Sequence, residues 1–395
     1  MPRFSSDIRV FYESFTVKVE EFSDKVSSAG KSVFRFDVGL PGITPPKWSI
    51  KQLIKAIERG DISGFSYSPG SGLAELREAI ASDLESLGGP RLSPEEVLVV
   101  SGGQHAMFVA LATILEEGCE VITTDPTYFG YPSLVEYFKC RVRRVPTIPE
   151  KGFMIDVDAL SESVVKNKTR AIIVVDPDNP TGRVLDRWQA RAICEIASDA
   201  DAWVLVDEAY ATLVYEGSKE WLYSMSPERV VGLYTFSKDP GIPGWRLGYL
   251  YGSREFIREA SLVSRETIYS PPLPAQLLVL GYLTDDRRIG FRESIRLAYI
   301  SRRDVMVGEL LKAGIEAYKP RGSIFVMADF SEYTLGGDSV SLAEDMLEKA
   351  RVAVIPGSFF GQTTRKHLRL SFAVEDEARI VEGVKRIREF LGKAF

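Results

Sequence analysis

Short apolar runs punctuate the middle of the chain. Each is followed by a polar turn containing glycine or proline, and then by a stretch of helical character. EVLVV (96–100) leads into SGGQHA, EVITT (120–124) into DPTYFGY and AIIVV (171–175) into DPDNPTG. WVLV (203–206) leads into DEAY, and VVGLYTF (230–236) into SKDPGIPG. Continuous β-branched runs suit strands buried on both faces. Their alternation with helical stretches predicts an α/β fold with a mostly parallel central sheet flanked by helices. Ligands bind such sheets just beyond the carboxyl ends of the strands. Five strand ends here carry unusual polar residues, and their convergence marks the place to look for chemistry.

The flanks read differently. Residues 1 to about 45 are mixed and then rich in turns (DVGLPGITPP). SIKQLIKAIERG predicts a helix with Ser49 near its start and Gly60 past its end. From about residue 290 come a long helical pattern, then GSIFVMADF, VAVIPGSFFG and LRLSF, then a charged C-terminal helix. The expectation is a large domain over 46–290 and a smaller α+β domain over 291–395, joined by an N-terminal arm over 1–45.

Composition narrows the class. The 395 residues suffice for two domains, and 45% hydrophobic with 26% charged residues is ordinary for a soluble globular protein. A net charge of −6 with both signs mixed gives no electrostatic reason to expect nucleic acid or an anionic membrane as partner. Cys119, Cys140 and Cys194 are odd in number, far apart in sequence and outside any CxxC pair. That points away from a disulfide framework or zinc site and toward a reduced, cytoplasmic compartment. With only His105 and His367, no histidine-based metal centre is expected. No apolar run approaches the roughly 18 residues of a membrane helix.

The strand ends hold the candidate chemistry. Lysines on loops are most often solvated. Lys238, however, directly follows a strand that reads as buried, in a loop stiffened by Pro240 and Pro243. A desolvated lysine has a lowered pKa and attacks carbonyls as a free amine. Asp207, after WVLV, reads either as a helix-start cap or as a buried carboxylate that needs a cationic partner. Asn179 lies in a proline-flanked turn. SGGQHA places glycines where backbone N–H groups at a helix start can hold a phosphate. It is neither a P-loop nor a dinucleotide fingerprint. A phosphate cradle, a carboxylate, a lysine for an imine, an asparagine, and aromatics at Tyr128 and Tyr210 together describe a pyridoxal phosphate site.

The order of motifs resembles that of the class I/II aminotransferases, within the fold-type I pyridoxal phosphate enzymes. DVGLPG, YSPGSGLAELREAIA, SGGQHA, DPTY, DPDNPTG, DEAY, SKDPGIPGWRLGY, VIPGSFFG and HLRLSFA follow one another in the family's order over nearly the whole chain. The resemblance implies an aminotransferase moving an amino group between an L-amino acid and a 2-oxo acid. It implies Lys238 as the Schiff-base lysine that also moves the substrate proton, and Asp207 as partner of the pyridinium nitrogen. Asn179 and Tyr210 would bond the ring oxygen, and Tyr128 would stack on the ring. The Gly103 and Gln104 amides, Ser237 and Arg246 would form the phosphate cup. Arg369 would grip the substrate α-carboxylate, with Asn179 and the Gly39 backbone beside it. Tyr67 would reach the cofactor phosphate of a neighbouring subunit, which implies a homodimer with shared sites.

Lys238 and Arg246 are then two ends of one clamp, with the stiff loop between them setting its span. Trp245 reads as packing and His105 as a satisfied helix residue. The Asp239 of SKD departs from the aminotransferases and is similar to lyase-type relatives, so a pyridoxal phosphate lyase is the alternative reaction. A regulator's effector-binding domain fits less well: the DVGLPG loop starts at residue 37 and no basic patch is present. SRETIYSPP resembles a loop that carries a dicarboxylate-reading arginine in some relatives. Arg265 is offset from the expected position, and a surface role is the simpler reading.

Overall fold

The computed structural model describes residues 5–12, 15–28, 33–59, 66–334 and 337–394. Its strands, in chain order, are β1 (Phe34–Arg35), β2 (Val97–Val100), β3 (Glu120–Asp125), β4 (Arg141–Ile148), β5 (Met154–Ile155), β6 (Thr169–Val175) and β7 (Trp203–Asp207). They continue with β8 (Val230–Thr235), β9 (Gly248–Tyr251), β10 (Phe325–Asp329), β11 (Val352–Ala353), β12 (Ile355–Pro356) and β13 (His367–Ser371). Eight form one sheet in the order β2-β9-β8-β7-β6-β3-β4-β5. The pairs β3/β4, β3/β6, β6/β7 and β7/β8 are parallel, while β9 runs against both β2 and β8.

The five predicted strands are all present, and the reason for their continuous apolar character is visible in the packing. Alternate residues of a strand face opposite sides of a sheet. Val97, Val99, Ile172, Val174, Val204 and Val206 enter a core on one face. Leu98, Val100, Ala171, Ile173, Val175 and Leu205 enter a second core on the other. Both faces are covered, so neither set of positions can be polar.

A third core gathers Phe325, Val326, Met327, Leu368 and Leu370 from β10 and β13, with Phe22, Val26, Phe34 and Phe36 from near the N-terminus. β10, β13 and β12 make a small antiparallel sheet, and β1 pairs in parallel with β11. The helix Arg287–Lys312 runs unbroken through the boundary expected near residue 290.

Two local expectations change. The helix near residue 50 is Lys47–Glu58, so Ser49 is inside it; its Oγ donates to the Pro46 carbonyl at 2.8 Å instead of capping the start. Gly60 lies outside the described residues. Cys119 and Cys140, distant in sequence, sit side by side, because each immediately precedes one of the paired strands β3 and β4. The Arg141 N–H donates to the Cys119 carbonyl at 2.8 Å. Both cysteines are free, and burial together with Cys119 pushes the Cys140 thiol up to about 12.

Candidate active site

The reversed direction of β9 assembles the site. Val100, the last residue of β2, and Thr235, the last of β8, both lie opposite Gly248, the first residue of β9. The helix after β2, the loop after β8 and the residues before β9 therefore meet at one edge. Asp207 ends β7 at the same edge, opposite Val175 at the end of β6. One cavity of about 350 Å³ opens there. It is lined by Gly39, Gly103, Gln104, Tyr128, Asn179, Asp207, Tyr210, Ser237, Lys238, Arg246 and Arg369 among others. Tyr67 does not line it; its side chain is 78% exposed and meets Tyr269 edge-on at 4.8 Å.

Lys238 follows Phe236 and Ser237 off the end of β8. The loop is closed by Ile242 N–H donating to the Phe236 carbonyl and Phe236 N–H to that of Leu247. The lysine Nζ donates to the Gly39 carbonyl at 2.5 Å and lies 5.6 Å from the centre of the Tyr210 ring. Burial pulls its pKa down to about 8; Arg369 and Arg246 act in the same direction, and Asp207 opposes them. An amine held there is a far better nucleophile at neutral pH than a solvated lysine.

Asp207 accepts a hydrogen bond from the Tyr131 hydroxyl and another, at 3.0 Å, from the Ala209 N–H. Burial pushes its carboxyl up, while these bonds and Lys238 pull it down. Both bonds favour the charged form, which is what a carboxylate facing a cationic ring nitrogen requires. Tyr131 was not among the expected residues. It follows Tyr128 at a three-residue spacing in a motif already singled out, and that spacing is the signal that could have found it.

Arg369 projects from β13 and is 3% exposed. Its guanidinium is flanked by the Phe325 ring at 4.0 Å and the Phe360 ring at 4.9 Å. It donates to Asn179 Oδ1 at 3.0 Å and to the Asp37 carbonyl at 2.9 Å. Both acceptors are neutral, its Nε is buried without a partner among the described residues, and burial pulls its pKa to about 10. A buried arginine without a carboxylate is built to receive one. The C-terminal segment that carries it is tied to the sheet by Asp125, which accepts the N–H groups of Gln362 and Thr363 at 3.0 and 2.9 Å.

The opposite end of the cavity is a set of donors. The helix Gly102–Ile114 starts there, and its first-turn N–H groups are free of helical partners. Gly102 has φ +82°, and a Cβ on it would come within 2.7 Å of the Arg246 guanidinium, so the backbone and Arg246 can close on a small anion together. Ser237 Oγ and Thr235 Oγ1 are 2.9 Å apart beside them. Thr235 is a second lining residue that the motif reading omits. His105 is a satisfied helix residue: Nδ1 accepts the Ser101 N–H at 3.1 Å, Nε2 pairs with Thr267 Oγ1 at 2.9 Å, and burial pulls its pKa to about 4. Trp245 is 42% exposed and outside the cavity lining.

These groups fit pyridoxal phosphate. The anion cradle, the carboxylate of Asp207, the low-pKa amine of Lys238 and an arginine whose acceptors are neutral match its phosphate, its ring nitrogen, its aldehyde and the carboxylate of an amino acid brought to it.

Comparison with known proteins places the chain. The family model for aminotransferase class I and II matches residues 33–387. The aspartate/prephenate aminotransferase of Thermus thermophilus is 32% identical over 391 residues, covering 99% of each chain. The aspartate aminotransferase of Pyrococcus horikoshii is 31% identical over 377 residues, covering 95% of this chain and 94% of that one. A solved structure of the Thermus thermophilus aspartate aminotransferase with maleate superposes with a TM-score of 0.92 at 31% identity, over 99% of this chain and 100% of the other. With motif order, fold and cavity in agreement, the chain belongs to the class I and II aminotransferases, pyridoxal phosphate enzymes that move an amino group between an amino acid and a 2-oxo acid.

Proposed function

We propose that this aminotransferase takes a dicarboxylic amino acid such as aspartate as donor and 2-oxoglutarate as acceptor, with the residues above in named roles. The observation that carries the roles is the buried Arg369, bonded to neutral acceptors alone and lining the same cavity as Lys238. Arg369 takes the substrate α-carboxylate as a two-pronged fork, beside Asn179 and the Gly39 backbone. That places the substrate amino group and Cα toward Lys238. Bound there, pyridoxal phosphate supplies an electron sink for the pair left when the Cα–H bond breaks. Lys238 is the amine that would hold the aldehyde carbon, and its Nζ would move the proton between the substrate Cα and that carbon. Asp207 would keep the ring nitrogen protonated, Asn179 and Tyr210 would hold the ring oxygen, and Tyr128 would cover the ring face. The Gly103 and Gln104 N–H groups, Ser237 and Arg246 would hold the phosphate. Asp239 bonds to Arg292 and Tyr282 and lies outside the cavity lining. The residue behind the lyase alternative therefore does not face substrate.

Among the described residues, the cationic ones in the cavity lining are Lys238, Arg246 and Arg369, and the roles above occupy all three. A side-chain carboxylate must be read by something else. Tyr67, Arg265 and Tyr269 form one exposed patch, with Arg265 Nε and the Tyr269 carbonyl each 3.4 Å from where a Gly70 Cβ would stand. We propose a C2 homodimer in which this patch completes the partner's site, Tyr67 at the phosphate and Arg265 at the acidic side chain. The small domain is residues 291–395 with the 1–45 arm, as their shared core supports. Three free cysteines support a cytoplasmic setting.

Two measurements test this. Mixing Tyr67→Phe with Lys238→Ala subunits regenerates one intact site per heterodimer. Activity per Tyr67→Phe subunit is expected to rise; no rise, or an active monomer in sedimentation, counts against a shared site. Arg265→Ala is expected to lower kcat/KM for aspartate by roughly 10²-fold, or about 2.7 kcal/mol, and to leave an apolar donor such as leucine nearly unchanged. Equal losses for both donors remove Arg265 from the site.

A further inference from the structure

The residue after Lys238 is the most heavily bonded in its loop. Asp239 is 4% exposed. Its Oδ1 accepts from the Tyr282 hydroxyl at 2.5 Å, and its Oδ2 from Arg292 Nε at 2.7 Å and, weakly, from the Tyr234 hydroxyl at 3.5 Å. The two remaining Arg292 nitrogens clasp Asp83 at 2.7 and 2.8 Å, and Arg288 Nε reaches the same carboxylate at 3.1 Å. Arg288 and Arg292 are four apart on one helix, hence on one face. Two carboxylates and two guanidiniums make a charge-balanced, buried set.

Its place in the fold gives the set a function. Asp83 belongs to the helix Ala74–Ser86, and Tyr282 to the helix Leu273–Leu283; both helices pack on the large sheet. Arg292 belongs to the helix Arg287–Lys312, whose later residues Tyr299, Met306 and Leu310 enter the core around β10 and β13. Phe291, beside Arg292, packs against both cores. β13 carries Arg369. The set thus ties the Lys238 loop at once to the sheet and to the helix leading toward the Arg369 side.

We infer that Asp239 is a positioning residue for the reaction: its bonds to Arg292 and Tyr282 fix the loop so that the Lys238 amine stays buried against the Gly39 carbonyl, facing the substrate carbon. Without that anchor the lysine swings toward solvent. This rests on the assignment of Lys238 made above. It is kept separate by a readout on the cofactor-free protein that requires no turnover.

The experiment is Asp239→Asn, which keeps shape and removes the charge. The rate of Lys238 acylation by acetic anhydride is followed against pH in the cofactor-free protein, by peptide mass spectrometry, and kcat and KM are measured in the loaded enzyme. The groups facing Lys238 are Asp207, Arg369, Arg246 and Tyr210, and all remain in the variant. Loosening returns the amine toward water, so the acylation midpoint rises by about one pH unit or more. kcat falls by about 10²-fold, as for a small misplacement of a reacting group, with KM within a few-fold. Losing only a nearby negative charge would instead lower the midpoint, and a purely structural role would lower thermal stability while leaving midpoint and kcat unchanged. Either result overturns the inference. Removing one partner of a buried ion pair is destabilising, so Tyr282→Phe, which keeps every charge, is the second variant. A smaller rise of the same sign is expected there. If Asp239→Asn does not fold, the absence of that rise in Tyr282→Phe overturns the inference.

Discussion

Lys238→Ala is expected to remain folded and to lose at least about 10⁴-fold in turnover, a barrier increase of about 5.4 kcal/mol. Two contributions disappear together. On the roles proposed above, one is the amine that would bond the aldehyde; the other is the base that would carry the proton between two carbons, and among the described residues no second lysine lines the cavity to replace it. The fold should survive. The Nζ makes a hydrogen bond to the Gly39 carbonyl and no ion pair among the described residues, and alanine removes a buried cation that costs desolvation. The measurement is steady-state turnover, with the visible absorbance of the lysine-bound cofactor and a thermal melt as controls. In the unmodified protein, cofactor uptake is expected to rise with pH and level off above about 8, because only the neutral amine attacks and burial holds its pKa there. A Lys238→Ala protein that keeps normal turnover removes the assignment.

Asp207→Asn is expected to lower kcat by about 10²–10³-fold, or ~2.7–4 kcal/mol, as when one preorganised electrostatic group is removed from an active site. Asparagine is nearly the same shape. Its Oδ1 can still accept from the Ala209 N–H, and its Nδ2 can donate to the Tyr131 hydroxyl where Oδ2 accepted from it, so the turn after β7 should hold. The missing element is the negative charge that keeps the ring nitrogen protonated and the ring electron-poor. A melting temperature close to the parent with kcat down by orders of magnitude is the expected pair of results. If kcat falls by less than tenfold, about 1.4 kcal/mol, Asp207 is only the cap of its turn.

Much of the fold is legible before any coordinates, for a physical reason. A strand covered on both faces must be apolar at every position, so EVLVV, AIIVV and WVLV announce both themselves and the helices that cover them. Strand ends in such a sheet are where backbone polarity is unsatisfied and side chains are free to converge. The polar residues after five apolar runs therefore point to one place. Asp207 stands out because it ends an apolar run with a group that is costly to bury, and Lys238 and Asn179 because they lie in proline-containing turns just past such runs.

Other features depend on distances between segments remote in sequence. Asp239 looks like a departure from its relatives when read along the chain. In space it meets Tyr282 and Arg292, 43 and 53 positions along the chain, and through Arg292 it is joined to Asp83, 209 positions before that arginine. Tyr131 bonds Asp207 across the sheet edge, and Cys119 meets Cys140 only because β3 and β4 pair in parallel. Ser49 has the chemistry of a cap, yet Pro46 starts the helix earlier and takes its hydroxyl. Residue type and order therefore settle the architecture, the strand ends and the chemistry available there, because burial and turn formation act on near neighbours. The direction of β9, the neutral partners of Arg369 and the anchoring of the lysine loop are settled by packing, because each depends on which distant groups the closed cores bring within hydrogen-bonding distance.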